Sequence, residues 1–353
     1  MAQEFNFKLD IGLALRTFLY SQFLDTPPYP TKSFSDQVII VTGSNVGLGF
    51  EAARHFYRLN CAKLILAVRT ISKGETAKED IVRSVRHRSD GAEAIDVWPL
   101  DLSSTESTLA FADRVKKELP RVDAVVENAG INNQSWVVSE GFEQTIQVNV
   151  VNTLLLGMSV LPKLRETKRQ FPDSSPHLEI VSSEAHHFTS FKEVNARDIY
   201  ATLNDEKSSD MLARYPVSKL IGILFIRELV LRLQEHDRSS TVTASPVTIT
   251  LVNPGLCMSD LDRNVILAGR ILMYIVRLLL GRSTEVGSRT LVYGACAGPD
   301  SHGAFMSDGK NQEVEKWIYS DLGKKAQSKV FEQTMKVLEA RRPGIGVEVG
   351  LSA

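Results

Sequence analysis

The chain has 353 residues, of which 43% are hydrophobic and 24% charged, a composition typical of a soluble protein with a substantial core. Its 41 Lys and Arg residues and 42 Asp and Glu residues leave a formal net charge of −1, which argues against nucleic acid as a partner. The three cysteines, Cys61, Cys257 and Cys296, have neither metal-ligand spacing nor a disulfide pattern. We therefore expect no metal site and a reducing, cytoplasmic compartment.

Residues 1–35 are predicted to form an extension to the main domain. The stretch from Ile11 to Phe23 is rich in Leu, Phe and Ile, but Arg16 interrupts it, so the apolar run is too short for the core of a signal peptide. We favour an amphipathic helix docked on the main domain, with a weak membrane anchor as the second interpretation. The prolines at 27, 28 and 30 predict an extended linker. A single domain over residues 36–320 and a C-terminal helix and tail over residues 321–353 complete the predicted organisation.

From residue 38 onwards, short β-rich runs alternate with helical stretches. The predicted strands are Val38–Val41, Lys63–Val68, Ala94–Pro99, Asp123–Glu127, His177–Val181, Val247–Val252 and Ala304–Met306. The clearest predicted helices are Lys73–His87, Thr105–Glu118, Val148–Leu164 and Val217–Glu235. This alternation predicts an α/β fold, a Rossmann-type doubly wound parallel sheet of about seven strands with helices on both faces. Ligands of such sheets bind beyond the carboxyl ends of the strands, so the residues that follow each strand are the candidates for a site.

The first strand ends in a glycine-rich turn that opens a helix. Its candidate ligand-binding residues are Gly43, Ser44, Asn45, Gly47, Leu48 and Gly49. Glycines let the backbone approach a ligand closely, and the free N–H groups and dipole of a helix N-terminus favour negative charge. The turn therefore predicts a cradle for the diphosphate of a dinucleotide.

The second to fourth strands end in further candidates for cofactor binding. Arg69 stands where an acidic residue would hold the ribose hydroxyls of NAD, so a 2′-phosphate and NADP(H) are favoured over a merely solvated arginine. Asp101, followed by Leu102, suits either an adenine amino group or a helix N-cap. Asn128, Ala129 and Gly130 allow close backbone approach, and Asn128 either ties strands together or touches the cofactor, with a simple turn as the alternative.

The candidate catalytic pair is Tyr215 and Lys219, which share one face of a helix because they are four residues apart. A nearby ammonium stabilises a phenolate, so such a tyrosine can give a proton to a carbonyl oxygen as hydride arrives at carbon. Ser183, at the end of the fifth strand, would orient that oxygen, and the turn at Pro254 and Gly255 could lie against a flat ring.

These motifs resemble the short-chain dehydrogenase/reductase family, in family order over residues 36–310. Residues 181–187 and 218–220 look most like the retinol-dehydrogenase-like branch, and many similar fungal enzymes work on secondary metabolites. The resemblance implies that Ser183 rather than Ser182 is catalytic, that Asn149 holds a water of the proton relay, and that Lys219 also binds the nicotinamide ribose. Two residues depart from the family: Glu127 replaces an asparagine, and Ser259 stands near the place of a threonine beside the carboxamide.

In this family the segment after Pro254 and Gly255 is the substrate lid, here over about residues 256–284. Arg263, Arg270 and Arg277 are spaced by seven in an apolar run, which predicts one helical stripe. We favour a mobile hydrophobic lid, with an interfacial membrane helix as the second interpretation. The stretch Phe188–Arg214 is expected to form another wall of the pocket.

Together these features predict NADPH-dependent reduction of a ketone or aldehyde on an apolar small molecule, or the reverse oxidation, in secondary metabolism. The alternatives are a non-redox step on the same fold, such as a cyclisation or isomerisation, and a nucleotide-sensing binding protein. No nucleic-acid partner is expected, membrane-surface contact is the less favoured interpretation, and a homo-oligomer is left open.

Overall fold

The computed structural model describes residues 4–88, 90–239, 246–259, 261 and 267–351. The strands are Val38–Thr42 (β1), Lys63–Val68 (β2), Ile95–Pro99 (β3), Ala124–Glu127 (β4), Val138–Ser139 (β5), Phe142–Glu143 (β6), His177–Val181 (β7), Thr248–Asn253 (β8), Phe305–Ser307 (β9) and Lys310–Gln312 (β10). The helices are Ile11–Leu24 (α1), Gly47–Arg58 (α2), Ile71–Ser84 (α3), Thr105–Glu118 (α4), Gln144–Ile146 (α5), Thr153–Gln170 (α6), Ile199–Leu203 (α7), Arg214–Ser239 (α8), Leu267–Leu280 (α9), Thr284–Gly294 (α10), Asp321–Arg341 (α11) and Ile345–Glu348 (α12). A π-helical turn, Gln147–Asn152, joins α5 to α6.

The main sheet has the strand order β10-β9-β8-β7-β4-β1-β2-β3, and its pairs are parallel except β9 with β10. The chain leaves β1 towards β2 and β3 and then crosses back to β4, so the order reverses between β1 and β4. Val41 of β1 is in register with Leu66 on one side and Val126 on the other. A crevice at such a reversal point is the usual binding place in open α/β sheets.

Both faces of the sheet are covered, as the doubly wound prediction requires. All five residues of β1 are buried. Ile39 packs into a core with Phe56 of α2, and Ile40 packs into the opposite core with Phe111 of α4 and Leu155 of α6. A strand buried on both sides needs a continuous apolar run rather than alternation, which explains the Val-Ile-rich sequence of β1.

The sheet has eight strands in the described part of the chain, one more than expected. The additional strand, β10, pairs antiparallel with β9, and Lys310 is in register with Ser307. Its polar sequence has no apolar pattern, which is why it was not predicted. The two-residue turn between them, Asp308 and Gly309, has φ angles of +55° and +75°. An Asp-Gly pair is a hairpin signal, so the sequence did contain a pointer to this strand.

Both ends of the chain pack on the sheet domain. The ring of Phe7 stacks on Trp317 with centroids 3.7 Å apart, and the backbone N–H of Phe5 donates to Asn195. In α11, Phe331 stacks on Phe225 of α8 at 5.0 Å. The boundaries drawn from the sequence stay a prediction, but neither terminal segment is separate from the core.

One described helical stretch, residues 144–170, has the length and composition that could cross a membrane. Within its most apolar window, 94% of the residues are buried inside the protein. That burial is typical of a core helix, and α6 contacts α4, β4 and β7.

Candidate active site

The carboxyl ends of the parallel strands border a cleft of about 660 Å³. Most of the predicted site residues line it: Gly43, Asn45, Gly47, Leu48, Arg69, Asp101, Leu102, Asn128, Ala129, Gly130, Ser183, Tyr215, Lys219, Pro254, Gly255 and Ser259. Ser44, Gly49 and Asn149 are not part of the lining. The structure therefore brings together residues that lie up to 216 positions apart in the sequence.

The glycine turn after β1 has the shape that a bound diphosphate requires. Gly43 and Gly47 have φ angles of +64° and +63°, which favour glycine. A Cβ on Gly49 would lie 2.5 Å from Asn128 Nδ2 and 2.6 Å from the carbonyl oxygen of Gly43, so a larger residue does not fit. The N-cap residue of α2, Val46, forms no side-chain hydrogen bond to the first turn of the helix. The buried hydroxyl of Ser44 has no hydrogen-bond partner in the described residues, which leaves a further donor beside these N–H groups.

Asn128 holds the end of β4 against this turn. Its Nδ2 donates to the carbonyl oxygen of Thr42 at 2.9 Å, and the N–H of Ala129 donates to Thr42 Oγ1 at 2.9 Å. Of the two roles predicted for Asn128, the structure shows the tie between strands. Glu127 lies behind it, fully buried and outside the cleft lining, and burial raises the pKa of its carboxyl well above the ordinary value.

Two cations lie at the edge of the cleft beyond β2. Arg69, two residues before the first residue of α3, and Lys73, in its first turn, are both exposed and line the cleft. In the described part of the chain neither head group takes part in an ion pair, so their charge is available to a ligand. Asp101 also lines the cleft, and one of its carboxylate oxygens is engaged, because Oδ1 accepts from the N–H and the hydroxyl of Ser103 at 2.9 and 2.7 Å. The N-cap of α4 is Ser104, not Asp101.

Tyr215 and Lys219 lie on the first two turns of α8. The Nζ of Lys219 is 5.6 Å from the centre of the Tyr215 ring and donates to the carbonyl oxygen of Val181, at the end of β7, at 2.7 Å. Burial lowers the pKa of Lys219 to about 8. Its ammonium is therefore still largely protonated at neutral pH and is held at a fixed point beside the phenol.

Two serines follow β7, and both line the cleft. Ser183 is the N-cap of a short 3₁₀ helix, Glu184–Phe188, and its Oγ accepts from the N–H of Ala185 at 3.1 Å, which leaves its proton free to donate. Ser182 is 4% exposed, and its Oγ is buried without a partner in the described residues. The more open Ser183 is thus better placed to reach a substrate.

Glu184, which the sequence analysis did not single out, also lines the cleft. The pKa of its carboxyl is raised to about 7, chiefly by burial and then by the charge of Asp308, while Arg282 and a hydrogen bond with Asn253 act in the opposite direction. The site therefore holds an additional carboxyl that titrates near neutral pH.

Asn149 lies one layer behind the cleft, in the π-helical turn. Its side chain accepts from the N–H of Ile131 at 2.9 Å and donates to the carbonyl oxygen of Ile131 at 2.8 Å and to Ser218 Oγ at 3.1 Å. The amide therefore joins the loop after β4 to the helix that carries Tyr215. A role in holding water stays a prediction.

The turn that ends β8 is braced by the N-terminal helix. Gly255 has a φ of +75°, and a Cβ there would lie 2.7 Å from Gln22 Oε1. Nε2 of Gln22 donates to the carbonyl oxygens of Leu256 and Leu280 at 2.9 and 2.6 Å, and Oε1 accepts from the N–H of Leu256 at 3.1 Å. One amide of α1 thus bridges the two ends of the predicted lid.

The predicted arginine stripe of the lid divides between protein and solvent. Arg270 is exposed, whereas Arg277 is buried and donates to the carbonyl oxygen of Ser259 at 2.9 Å. Arg263 lies outside the described residues. Cys257 is buried beneath this segment, and burial raises the pKa of its thiol to about 12, so it is an unreactive neutral thiol.

Part of the cleft lining is an apolar wall. It is formed by Phe18, Phe188, Leu256, Leu261 and Met273. The expectation that the whole stretch 188–214 lines the pocket is wrong, since only Phe188 of it does so. Phe191, Ile199 and Leu203 are instead buried in the core, which the apolar spacing alone could not reveal.

Histidines near the cleft take part in protein contacts. His186 Nδ1 lies 2.7 Å from the carbonyl oxygen of Ser183, and His187 pairs with Glu315. Among the described residues, no group of three His, Cys, Asp or Glu side chains could hold a metal ion.

Comparison with known proteins shows the family. The chain is 42% identical over 332 residues to short chain dehydrogenase/reductase dmxR8 of Cryptosporiopsis sp., covering 93% of this chain and 98% of that protein. It belongs to the short-chain dehydrogenase/reductase family. Residues 37–170 match the family model described as short chain dehydrogenase. Short chain dehydrogenase atnD of Emericella nidulans is also 42% identical, over 83% of this chain and 90% of that one.

Solved structures agree on the fold. A crystal structure of an uncharacterised protein from Mycobacterium paratuberculosis has a TM-score of 0.61 at 23% identity, covering 88% of this chain and 96% of that one. A 3-ketoacyl-(acyl-carrier-protein) reductase from Brucella melitensis has a TM-score of 0.55 at 16% identity, covering 78% and 97%. The family predicted from the motifs is confirmed, and the protein is an oxidoreductase of a family that uses nicotinamide cofactors.

The short-chain dehydrogenase/reductase motifs did not reveal every residue of this site. Lys73 could have been found, because it lies four positions after Arg69 at the predicted start of a helix. Phe18 and Gln22 had no such signal, since their approach to the cleft depends on how α1 docks.

Proposed function

We propose that the protein reduces a ketone or aldehyde on an apolar substrate with NADPH, or oxidises the corresponding alcohol in the reverse direction. The observation that carries this proposal is the cleft shared by Tyr215, Lys219 and Ser183 with the glycine turn. A phenol with an ammonium 5.6 Å from its ring centre suits proton transfer to a carbonyl oxygen.

The residues present fit a dinucleotide with a 2′-phosphate. Gly49 leaves no room for a Cβ, the hydroxyl of Ser44 is buried without a partner in the described residues, and α2 starts without a side-chain cap. These features would hold the diphosphate. Arg69 and Lys73 would pair with the 2′-phosphate through charge-assisted hydrogen bonds, which favours NADPH over NADH. When bound, the nicotinamide supplies or accepts the hydride.

The chain's own residues would handle the proton. The hydroxyl of Tyr215 would give its proton to the substrate oxygen, and the hydroxyl of Ser183 would donate a hydrogen bond to the same oxygen. The ammonium of Lys219 would stabilise the phenolate left on Tyr215, because opposite charges attract strongly in a site of low polarity. The carbonyl of Val181 keeps that ammonium in place at 2.7 Å.

The substrate class follows from the apolar wall of the cleft. Phe18, Phe188 and Met273 offer hydrophobic surface, and in the described residues the acidic lining groups are Asp101 and Glu184. A volume of about 660 Å³, part of which a cofactor would fill, suits a medium-sized apolar molecule. Since the relatives named above are fungal, we place the reaction in fungal secondary metabolism. The free cysteines support a reducing, cytoplasmic setting.

The test is NADPH consumption with a panel of apolar ketones and aldehydes. Tyr215→Phe should lower kcat by about 10²-fold or more, the usual contribution of a general acid. Tyr319→Phe, a partly exposed tyrosine outside the cleft lining, is the matched control. Equal turnover by wild type and Tyr215→Phe would show that Tyr215 is not the proton donor. A product of unchanged oxidation state would favour isomerisation or cyclisation.

The preference for NADPH over NADH is tested with a separate variant. Arg69→Asp should weaken NADPH binding and improve NADH binding, whereas Arg83→Asp, at an exposed position in the last turn of α3 and outside the cleft lining, should change neither. An unchanged preference in Arg69→Asp would separate Arg69 from cofactor selection.

A further inference from the structure

The two helices at the mouth of the cleft expose an unusual amount of apolar surface. Of the 24 large apolar side chains exposed in the described residues, 13 belong to α1 and α9. They are Ile11, Leu13, Leu15, Leu19, Tyr20, Phe23 and Leu24 of α1, and Ile271, Leu272, Tyr274, Ile275, Leu278 and Leu279 of α9. Concentrated apolar exposure of this kind marks an interaction surface rather than the scattered apolar residues of an ordinary protein surface. We call this set the α1/α9 face.

The two helices form one surface and not two separate patches. The side chain of Gln22 on α1 donates to the carbonyl oxygen of Leu280, the last residue of α9. Phe18 of α1 and Met273 of α9 line the same cleft. The α1/α9 face therefore lies beside the cleft.

The orientation of α9 is the reverse of that of a normal surface helix. At 100° per residue, its exposed apolar side chains cover an arc of about 160° that faces solvent. The opposite side, which faces the protein, carries the buried Arg277. A helix that turns its broad apolar arc to the outside, with Arg277 buried and Arg270 exposed at the edge of that arc, is suited to lying in a lipid interface.

The charges of α1 and α9 indicate which kind of partner binds to the α1/α9 face. The chain as a whole has 42 acidic and 41 basic residues, yet α1 and α9 contain no Asp or Glu. Their charged residues are Arg16, Arg270 and Arg277, and the first two are exposed beside the apolar side chains. A second copy placed on this face would bring like charges together, whereas anionic lipid headgroups would neutralise them. The exposed Tyr20 and Tyr274 add the amphipathic rings common at membrane interfaces.

We propose that the α1/α9 face docks the protein on an anionic lipid surface, without spanning it. Ile, Leu and Phe side chains enter the boundary between headgroups and acyl chains, and Arg16 and Arg270 contact the headgroups. The cleft mouth then opens towards the lipid, where an apolar molecule is concentrated. The docking stands apart from the proposed reaction and is measured without turnover.

The experiment is flotation of the full chain with vesicles of phosphatidylcholine alone or of phosphatidylcholine with phosphatidylserine. Wild type should bind the vesicles that contain phosphatidylserine, and high salt should weaken the binding because it screens the arginines. Leu272→Glu combined with Leu279→Glu should lower binding by about tenfold or more, since two apolar anchors become anions. Leu212→Glu combined with Leu231→Glu, at exposed sites elsewhere, should bind as wild type does.

Two further measurements keep the outcomes distinct. Arg270→Glu should lower binding by on the order of tenfold, on anionic vesicles only. Thermal unfolding and NADPH binding of each variant verify the fold. The proposal is overturned if wild type binds neither kind of vesicle or if Leu272→Glu combined with Leu279→Glu binds as wild type does. It is also overturned if wild type is a dimer, the double variant is a monomer and neither binds vesicles, because the α1/α9 face then binds a second copy of the chain.

Discussion

Replacing Glu184 with glutamine is expected to remove a pH-dependent loss of stability. The ordinary pKa of this carboxyl is 4.5, and burial raises it to about 7 in the folded protein. Between these values the unfolded chain has already released the proton while the folded chain still holds it. The contribution of this carboxyl to the stability of wild type therefore falls as the pH rises from 4.5 to 7 and is level above that range. Since one pKa unit corresponds to about 1.4 kcal/mol, this carboxyl accounts for a decline of about 3 kcal/mol.

The assay is urea unfolding of wild type and Glu184→Gln at intervals from pH 5 to pH 8.5. Glutamine keeps the shape and does not titrate, so the stability difference should move in favour of the variant by up to about 3 kcal/mol across that range. Glu206→Gln, an exposed glutamate, should follow wild type at every pH. Parallel curves for Glu184→Gln and wild type would refute the reasoning, because they would show that the buried carboxyl does not titrate between the two values.

Three further predictions concern the cleft and the N-terminal arm. Gly49→Ala should weaken NADPH binding by about tenfold or more in a fluorescence titration, because the Cβ would meet Asn128 Nδ2 at 2.5 Å, whereas an alanine at Gly222, where nothing lies within 4 Å, should bind normally. For wild type, kcat/KM for reduction should fall at alkaline pH with a midpoint near pH 8, and in Lys219→Arg this midpoint should move to higher pH because guanidinium stays charged. An unchanged midpoint would assign the fall to another group. Phe7→Ala should lower the free energy of unfolding by about 3 kcal/mol in urea, since it removes a buried ring stacked on Trp317, and a loss below about 1 kcal/mol would show that the N-terminal arm contributes little.

The parallel strands could be predicted from sequence because a strand buried on both faces is largely apolar, as β1 is. β10 was missed because an edge strand with polar residues lacks that constraint. The turn at Asp308 and Gly309 is the local sequence signal for this hairpin, and it lies outside any apolar run.

The residues of the site likewise include some that could be predicted from the sequence and others that could not. Residues at strand ends, such as Arg69 and Ser183, could be predicted because the sheet brings those ends to one edge. Phe18 and Glu184 could not, since their roles depend on the docking of a separate helix and on burial. The exposure of Leu272 and its neighbours was equally hidden, because an apolar helix has the same sequence whether its apolar arc faces a core or the outside.

The bond pattern of Gln22 has a consequence for comparisons among relatives. The family model begins at residue 37, yet Phe18 lines the cleft and Gln22 forms hydrogen bonds with both ends of the predicted lid. Variation in the first 25 residues would therefore change the shape of the entrance without touching a single family motif. A library meant to alter which molecules this enzyme accepts should be randomised first at positions 14–22. A chain that starts at residue 37 would lack the contacts of Phe18 and Gln22 and should be assayed as a different catalyst.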